Sequence, residues 1–116
     1  MNFNLLNKVI AGIVFIISFF VLFMTVQTSV SFWDCGEFAS SAYKLQIPHP
    51  PGAPLFTLIG RLFMAPFSPH TAATGINLMS ALASGFTILF LFWSITHFAR
   101  KIVTKNGAEL TSEKTF

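Results

Sequence analysis

No Asp, Glu, Lys or Arg occurs between Lys8 and Asp34, and none between Arg61 and Arg100. Each gap exceeds the roughly 20 mostly apolar residues that a helix needs to cross a hydrocarbon core of about 30 Å. In hydrocarbon a segment must satisfy its own backbone hydrogen bonds, which for single segments means a helix. The first span is expected at about Lys8 to Thr28 and the second within Gly75 to Phe98, ending at the basic pair Arg100 and Lys101. A signal peptide competes for the first position, but the apolar run exceeds the usual length and no A-x-A cleavage pattern follows before Trp33. The fold class expected is therefore an all-α membrane protein with two transmembrane helices.

Composition excludes a soluble alternative. Of 116 residues, 53% are hydrophobic, fifteen are Phe and only 9% are charged, too few to cover the surface of so small a domain. The net charge of +3 does not point to nucleic acid, because the basic residues sit at the ends of apolar runs and form no stripe. Lys8, Arg100, Lys101 and Lys105 flank the outer ends of the spans, whereas the connecting segment 29–74 balances Lys44 and Arg61 against Asp34 and Glu37. Cytoplasmic segments carry the excess of Lys and Arg. Both termini are thus expected in the cytoplasm and the loop outside. Residues 102–116 read as a flexible cytoplasmic tail in which Asn106-Gly107 turns. Ala81 and Gly85, beside Ser80 and Ser84, have the four-residue spacing that lets helices approach closely in lipid, although such residues are also common in membrane helices generally.

The loop carries the chemistry. Trp33 suits a membrane interface, and Asp34 to Gln46 is expected as a short helix with Phe38, Ala42 and Leu45 on one side. The prolines of 48–54 impose an extended or turning segment. Leu55 to Ala65, containing Arg61 and ended by Pro66 and Pro69, is too short to span and is expected at the interface. Asp34 and Glu37 are the only carboxylates outside the tail. A partly desolvated pair there could act as a general base with a supporting acceptor. The same spacing equally describes a capping box, in which Asp34 caps the helix and Glu37 reaches back to its amide. His49 could meet a phosphate, and with Asp34, Cys35 and Glu37 makes a conceivable metal set, though without a recognised ligand spacing. Arg61 either snorkels to the interface or binds a lipid phosphate. His97 and Lys101, four apart, suit headgroups and a helix C-terminus. One cysteine, Cys35, cannot form an internal disulfide.

Ser31-Phe-Trp-Asp-Cys-Gly-Glu-Phe38, Pro48-His-Pro-Pro-Gly-Ala-Pro-Leu55 and Asn77-Leu-Met-Ser-Ala81 together resemble the N-terminal part of a family of large bacterial membrane proteins of the protein O-mannosyltransferase type. The resemblance runs from about Lys8 to Lys101. It implies a GT-C glycosyltransferase: a many-span enzyme moving a sugar, here mannose, from a polyprenyl-phosphate donor to a protein hydroxyl on the non-cytoplasmic side of the bacterial inner membrane. An acidic residue just after the first span is that class's acceptor-activating group, which implies Asp34 as catalytic base and Glu37 as second acidic position. Cys35 and Gly36 separate this pair where related families often have adjacent Asp-Glu. His49 and Arg61 are then the substrate-binding candidates near the leaving phosphate. No cofactor is required, with a divalent metal left open. The expected partners are the bilayer, the lipid-linked donor, the acceptor protein and further transmembrane helices, since two spans cannot build a donor pocket and the piece is not expected to act alone. A non-catalytic two-span subunit binding a partner membrane protein is the alternative. A transporter fragment would need more polar spans than Ser18, Asn77 and Thr87 provide.

Overall fold

The computed structural model describes residues 3–31 and 33–113, with side chains as far as Lys105. Among them are four helices and no strand: α1 (Phe3–Met24), α2 (Cys35–Lys44), α3 (Pro54–Met64) and α4 (Ala72–Glu113). By length and apolar composition, α1 and the Ala72–Lys105 part of α4 are able to cross a membrane. The first span begins and ends about four residues earlier than expected. No Pro or Gly breaks Phe3–Asn7, where Asn4 and Asn7 disfavour a helix only mildly, and past Met24 the chain is stopped by its own turn, with Thr25 and Val26 bonding back to Val21 and Phe23. Large side chains such as Ile16, Phe20 and Leu91 stand more than half exposed. Such surfaces call for lipid or further helices, not water.

The second span, α4, departs furthest from expectation. It continues through Asn106-Gly107, expected as a turn, to Glu113. After Arg100 no proline interrupts the chain, and Lys, Ala, Glu and Leu are good helix formers. A lone Gly costs only about 1 kcal/mol against Ala, which a helix already propagating can absorb.

Contacts divide the chain into two compact units, Met1–Ser18 with Gly85–Phe116, and Phe19–Ser84. In the first, α1 and the later part of α4 are antiparallel: Asn4 meets Arg100 and the Phe15 ring lies 4.8 Å from that of Phe86. Ala11 and Gly85 are buried there. In the second unit, α2 and α3 pack on each other and on the start of α4, around Ala39, Ala42, Met64, Ala72 and Ile76. Outward from this core α3 presents Leu55, Leu58 and Leu62, while Thr57, Gly60 and Met64 face in.

Local chemistry explains the boundaries. Pro54 opens α3, a position where a missing N–H is harmless. Expected to reach Gln46, α2 stops at Lys44, because Leu45 turns left-handed (φ 54°) and Gln46 N–H bonds back to Ser41 O. That is a Schellman-type closure with leucine where glycine is usual. Pro48-to-Pro54 folds as a tight turn with a cis Pro50–Pro51 bond, closed by Gly52 N–H to His49 O at 2.9 Å. Gly52, at φ 77°, occupies a conformation that side chains disfavour.

Gly75 shows how closely α4 approaches the end of α3. A Cβ there would stand 2.9 Å from Phe63 O and 2.9 Å from Phe67 Cδ2, and one of these is backbone. Gly75→Ala is therefore expected to destabilise by about 1–3 kcal/mol, the usual cost of overpacking. Gly36→Ala in α2, where a Cβ meets nothing within 4 Å, should be neutral or stabilising by roughly 0.5–1 kcal/mol. Thermal unfolding of both variants in detergent checks the contrast.

Candidate active site

Asp34 is positioned by the way the chain leaves α1. Carbonyls near a helix end lack partners in the helix. Here Asn77 Nδ2 donates to Gln27 O (2.8 Å) and Ser29 O (3.2 Å), and Thr74 Oγ1 donates to Thr28 O (3.2 Å). These three bonds tie the 27–29 segment to the first turns of α4. Trp33, the next anchor, adopts φ 69°, a left-handed conformation costing a bulky residue about 1–3 kcal/mol. Its ring is almost wholly exposed.

The capping-box reading does not hold. Asp34 is already helical (φ −74°, ψ −1°) and its side chain makes no capping bond. Glu37 reaches forward to the proline turn and not back to Asp34. Its Oε1 accepts from His49 N at 2.6 Å, and its Oε2 lies 2.9 Å from His49 Nδ1. The spacing was misleading because it describes only a local partner, whereas the tight turn offers two donors from twelve residues away. The His49 bond, above all that to the ring, holds the Glu37 carboxyl below its ordinary value. Reciprocally, the Glu37 bond pushes the His49 imidazole up, with Asp34 adding a smaller pull in the same direction. Phe38 seals the arrangement, its ring edge-on to His49 (5.6 Å) and Phe56 (5.5 Å).

Asp34 lines a cleft of about 500 Å³ whose walls are mainly apolar: Trp33, Phe38, Ala39, Ala53, Phe56 and Ile76, with Cys35, Asn77 and Ser80 as the other polar members. Arg61 is not on this wall. Its guanidinium lies over the Tyr43 ring, 5.1 Å from the centroid, a cation–π contact. Of Asp34, Cys35, Glu37 and His49, the pair Glu37–His49 meets directly. Among the described residues no three His, Cys, Asp or Glu side chains converge as metal ligands. Asn77 is the site residue that sequence reasoning passed over as an ordinary polar group. Its place in the Asn77–Ala81 string was the available signal.

With this geometry in place, comparison with known proteins is decisive. Residues 34–116 match the family model described as the protein O-mannosyl-transferase TMEM260 N-terminal domain. The chain belongs to that family. It is 33% identical over 75 residues to protein O-mannosyl-transferase TMEM260 of Mus musculus, covering 65% of this chain and 11% of that protein. To protein O-mannosyl-transferase tmem260 of Dictyostelium discoideum it is 35% identical over 98 residues, covering 80% of this chain and 12% of that one. This chain thus spans about an eighth or less of these relatives, both of which are eukaryotic, so the bacterial attribution is not carried by them. No solved structure matches.

The Glu37–His49 clasp has a defined pH range. His49's contribution is complete below its ordinary value of 6.5 and is lost as pH rises through its raised value; Glu37's is complete above 4.5 and is lost as pH falls through its lowered value. The clasp should therefore be strongest between pH 4.5 and 6.5. NMR titration of the His49 ring in micelles is expected to give a midpoint above 6.5, falling toward that value in Glu37→Gln. An identical midpoint in both proteins would mean the clasp is absent in solution.

Proposed function

We propose that this chain is the acceptor-activating part of a membrane protein O-mannosyltransferase of the GT-C type, which moves mannose from a polyprenyl-phosphate donor to a protein hydroxyl. The observation that carries the reading is the placement of Asp34. Its carboxylate stands at the entry to α2, in the segment that follows a helix able to cross a membrane, on a mainly apolar cleft, and is not used as a helix cap. The family name of the relatives supplies the reaction class.

Asp34 takes the proton of a Ser or Thr hydroxyl of the acceptor as that oxygen attacks the anomeric carbon. The bond from that carbon to the phosphate oxygen breaks, and polyprenyl phosphate leaves with the electron pair. A displacement of this kind inverts the anomeric centre. Low dielectric around the cleft strengthens the interaction of the carboxylate with the hydroxyl. The developing charge on the phosphate needs donors. Since Glu37 engages His49 at Nδ1 and favours the imidazolium, Nε2–H is the donor His49 has to offer an anionic leaving group. Glu37 thus serves by holding His49, and Arg61 on its Tyr43 seat is the second cation of the loop. Further transmembrane helices complete the donor pocket. Charge bias puts the loop on the non-cytoplasmic face and both termini in the cytoplasm, of the inner membrane if the host is a bacterium.

Asp34→Asn tests the base. With no capping bond to lose, the variant should fold as the parent, whereas the rate of sugar transfer by the full-length enzyme should fall roughly 100-fold or more. Turnover near that of the parent, at equal expression and thermal stability, would remove Asp34 from the mechanism.

Sidedness has its own test. Cys35 is exposed and should react in intact cells with a membrane-impermeant thiol reagent. Thr104→Cys in a Cys35→Ser background should stay protected until the membrane is opened. The reverse pattern would invert the topology.

A further inference from the structure

At the opposite end of α1 from the loop, the first unit holds two clefts, of about 480 and 510 Å³, that share His97 and Arg100. Lys8 of α1 and Trp93 of α4 line the first, together with Asn4 and Thr96; Lys101 and Lys105 of α4 line the second. No carboxylate is among the described residues on either wall. Four cations and a histidine, drawn from two antiparallel helices, thus face adjoining concavities. Arg100 does not trail into solvent. Its Nη1 donates to Asn4 Oδ1 at 2.9 Å, and its guanidinium lies over the Phe3 ring, 5.0 Å from the centroid. A guanidinium carries five N–H donors in a fixed fork, so one bond to Asn4 orients the group while leaving donors for a ligand.

We propose that these clefts form a binding site for the phosphate of an anionic glycerophospholipid. The chemistry recognised is a phosphodiester, for which a held Arg fork is well suited and a mobile Lys much less so. A lipid, in preference to free phosphate, is indicated by position. The cations stand where the apolar runs of both helices end, Trp93 is the kind of amphipathic ring found at headgroup level, and exposed Ile10, Ile95 and Phe98 adjoin them along the helices. Basic pockets between transmembrane helices bind anionic headgroups in this manner. The site does not involve Asp34 and is independent of the transferase reading.

The test uses the full chain carrying Trp33→Phe, which leaves Trp93 as its single tryptophan. The protein is reconstituted in phosphatidylcholine vesicles containing a minority of phosphatidylglycerol, with one or the other lipid brominated on its acyl chains. Brominated phosphatidylglycerol should quench Trp93 well beyond its share of the bilayer. Arg100→Gln and Lys8→Gln should each lower that preference by on the order of five-fold, the worth of one cation near an anionic surface. Arg100→Lys keeps the charge and loses the fork, so it should also weaken the preference, whereas Lys44→Gln in α2, which lines neither cleft, should not. Far-UV circular dichroism confirms that each variant is helical. Quenching by the two lipids in proportion to their abundance would overturn the proposal. Undiminished preference in Arg100→Lys would reduce the site to diffuse surface charge. Loss of preference on adding millimolar inorganic phosphate would make it a site for free phosphate.

Discussion

A backbone in hydrocarbon has no water to satisfy its N–H and C=O groups, and each unsatisfied group costs several kcal/mol. The architecture depends on that constraint. A segment able to cross hydrocarbon must be helical throughout, and the two long apolar helices, α1 and α4, are unbroken. Among the described residues, irregular backbone, proline turns and left-handed residues lie between Met24 and Ala72. That segregation also bears on the proposed function. The part of the chain free to adopt special conformations is the part that presents a carboxylate, an imidazole and a guanidinium beside an apolar boundary.

Within the loop unit, order comes from a few polar bonds and a small core. Asn77 and Thr74 tie down the exit of α1, the Glu37–His49 clasp joins the proline turn to α2, and Phe38 bridges turn and α3. Gly60 and Gly75 allow the helices to approach closely: an added methyl group would be tight against Ile76 and Ala42 at Gly60 and would collide with Phe63 O at Gly75. The result is an Asp34 held in place by its surroundings while its own carboxylate is left out of the scaffold. On the proposed reading of Asp34 as the base, this separation lets its neighbours be fixed without consuming its lone pairs.

The two carboxylates illustrate how environment divides like groups. Both lie in the first turn of one helix or at its entry, yet Glu37 has two hydrogen-bond partners twelve residues on and Asp34 stands on the cleft wall. Glu37 is thereby drawn into a salt bridge that favours the charged forms of both members. An exposed pair of this kind adds little to stability. Its weight lies in the orientation and protonation of His49.

Sequence by itself determined the membrane character, the two long helices, the short helices near 35–44 and 54–64, and the position of Asp34 after the first span. These follow from local properties: uninterrupted apolar length, proline placement and the period of side chains along a helix. It also carried the family resemblance, through strings whose spacing is specific. What only tertiary structure decided are the partners. Asp34-x-x-Glu37 is compatible with a cap, and nothing local says that a turn twelve residues away will claim Glu37. Asn77 reads as an ordinary polar residue until the carbonyls of Gln27 and Ser29 are found beside it, fifty and forty-eight positions back. Arg61 could have faced the cleft, and instead sits on Tyr43 because α2 and α3 pack face to face. The continuation of α4 past Asn106-Gly107 was likewise hidden, since a turn dipeptide states a preference that a propagating helix can override. Hydrogen bonds between distant residues are set by packing, and packing is a property of the folded chain.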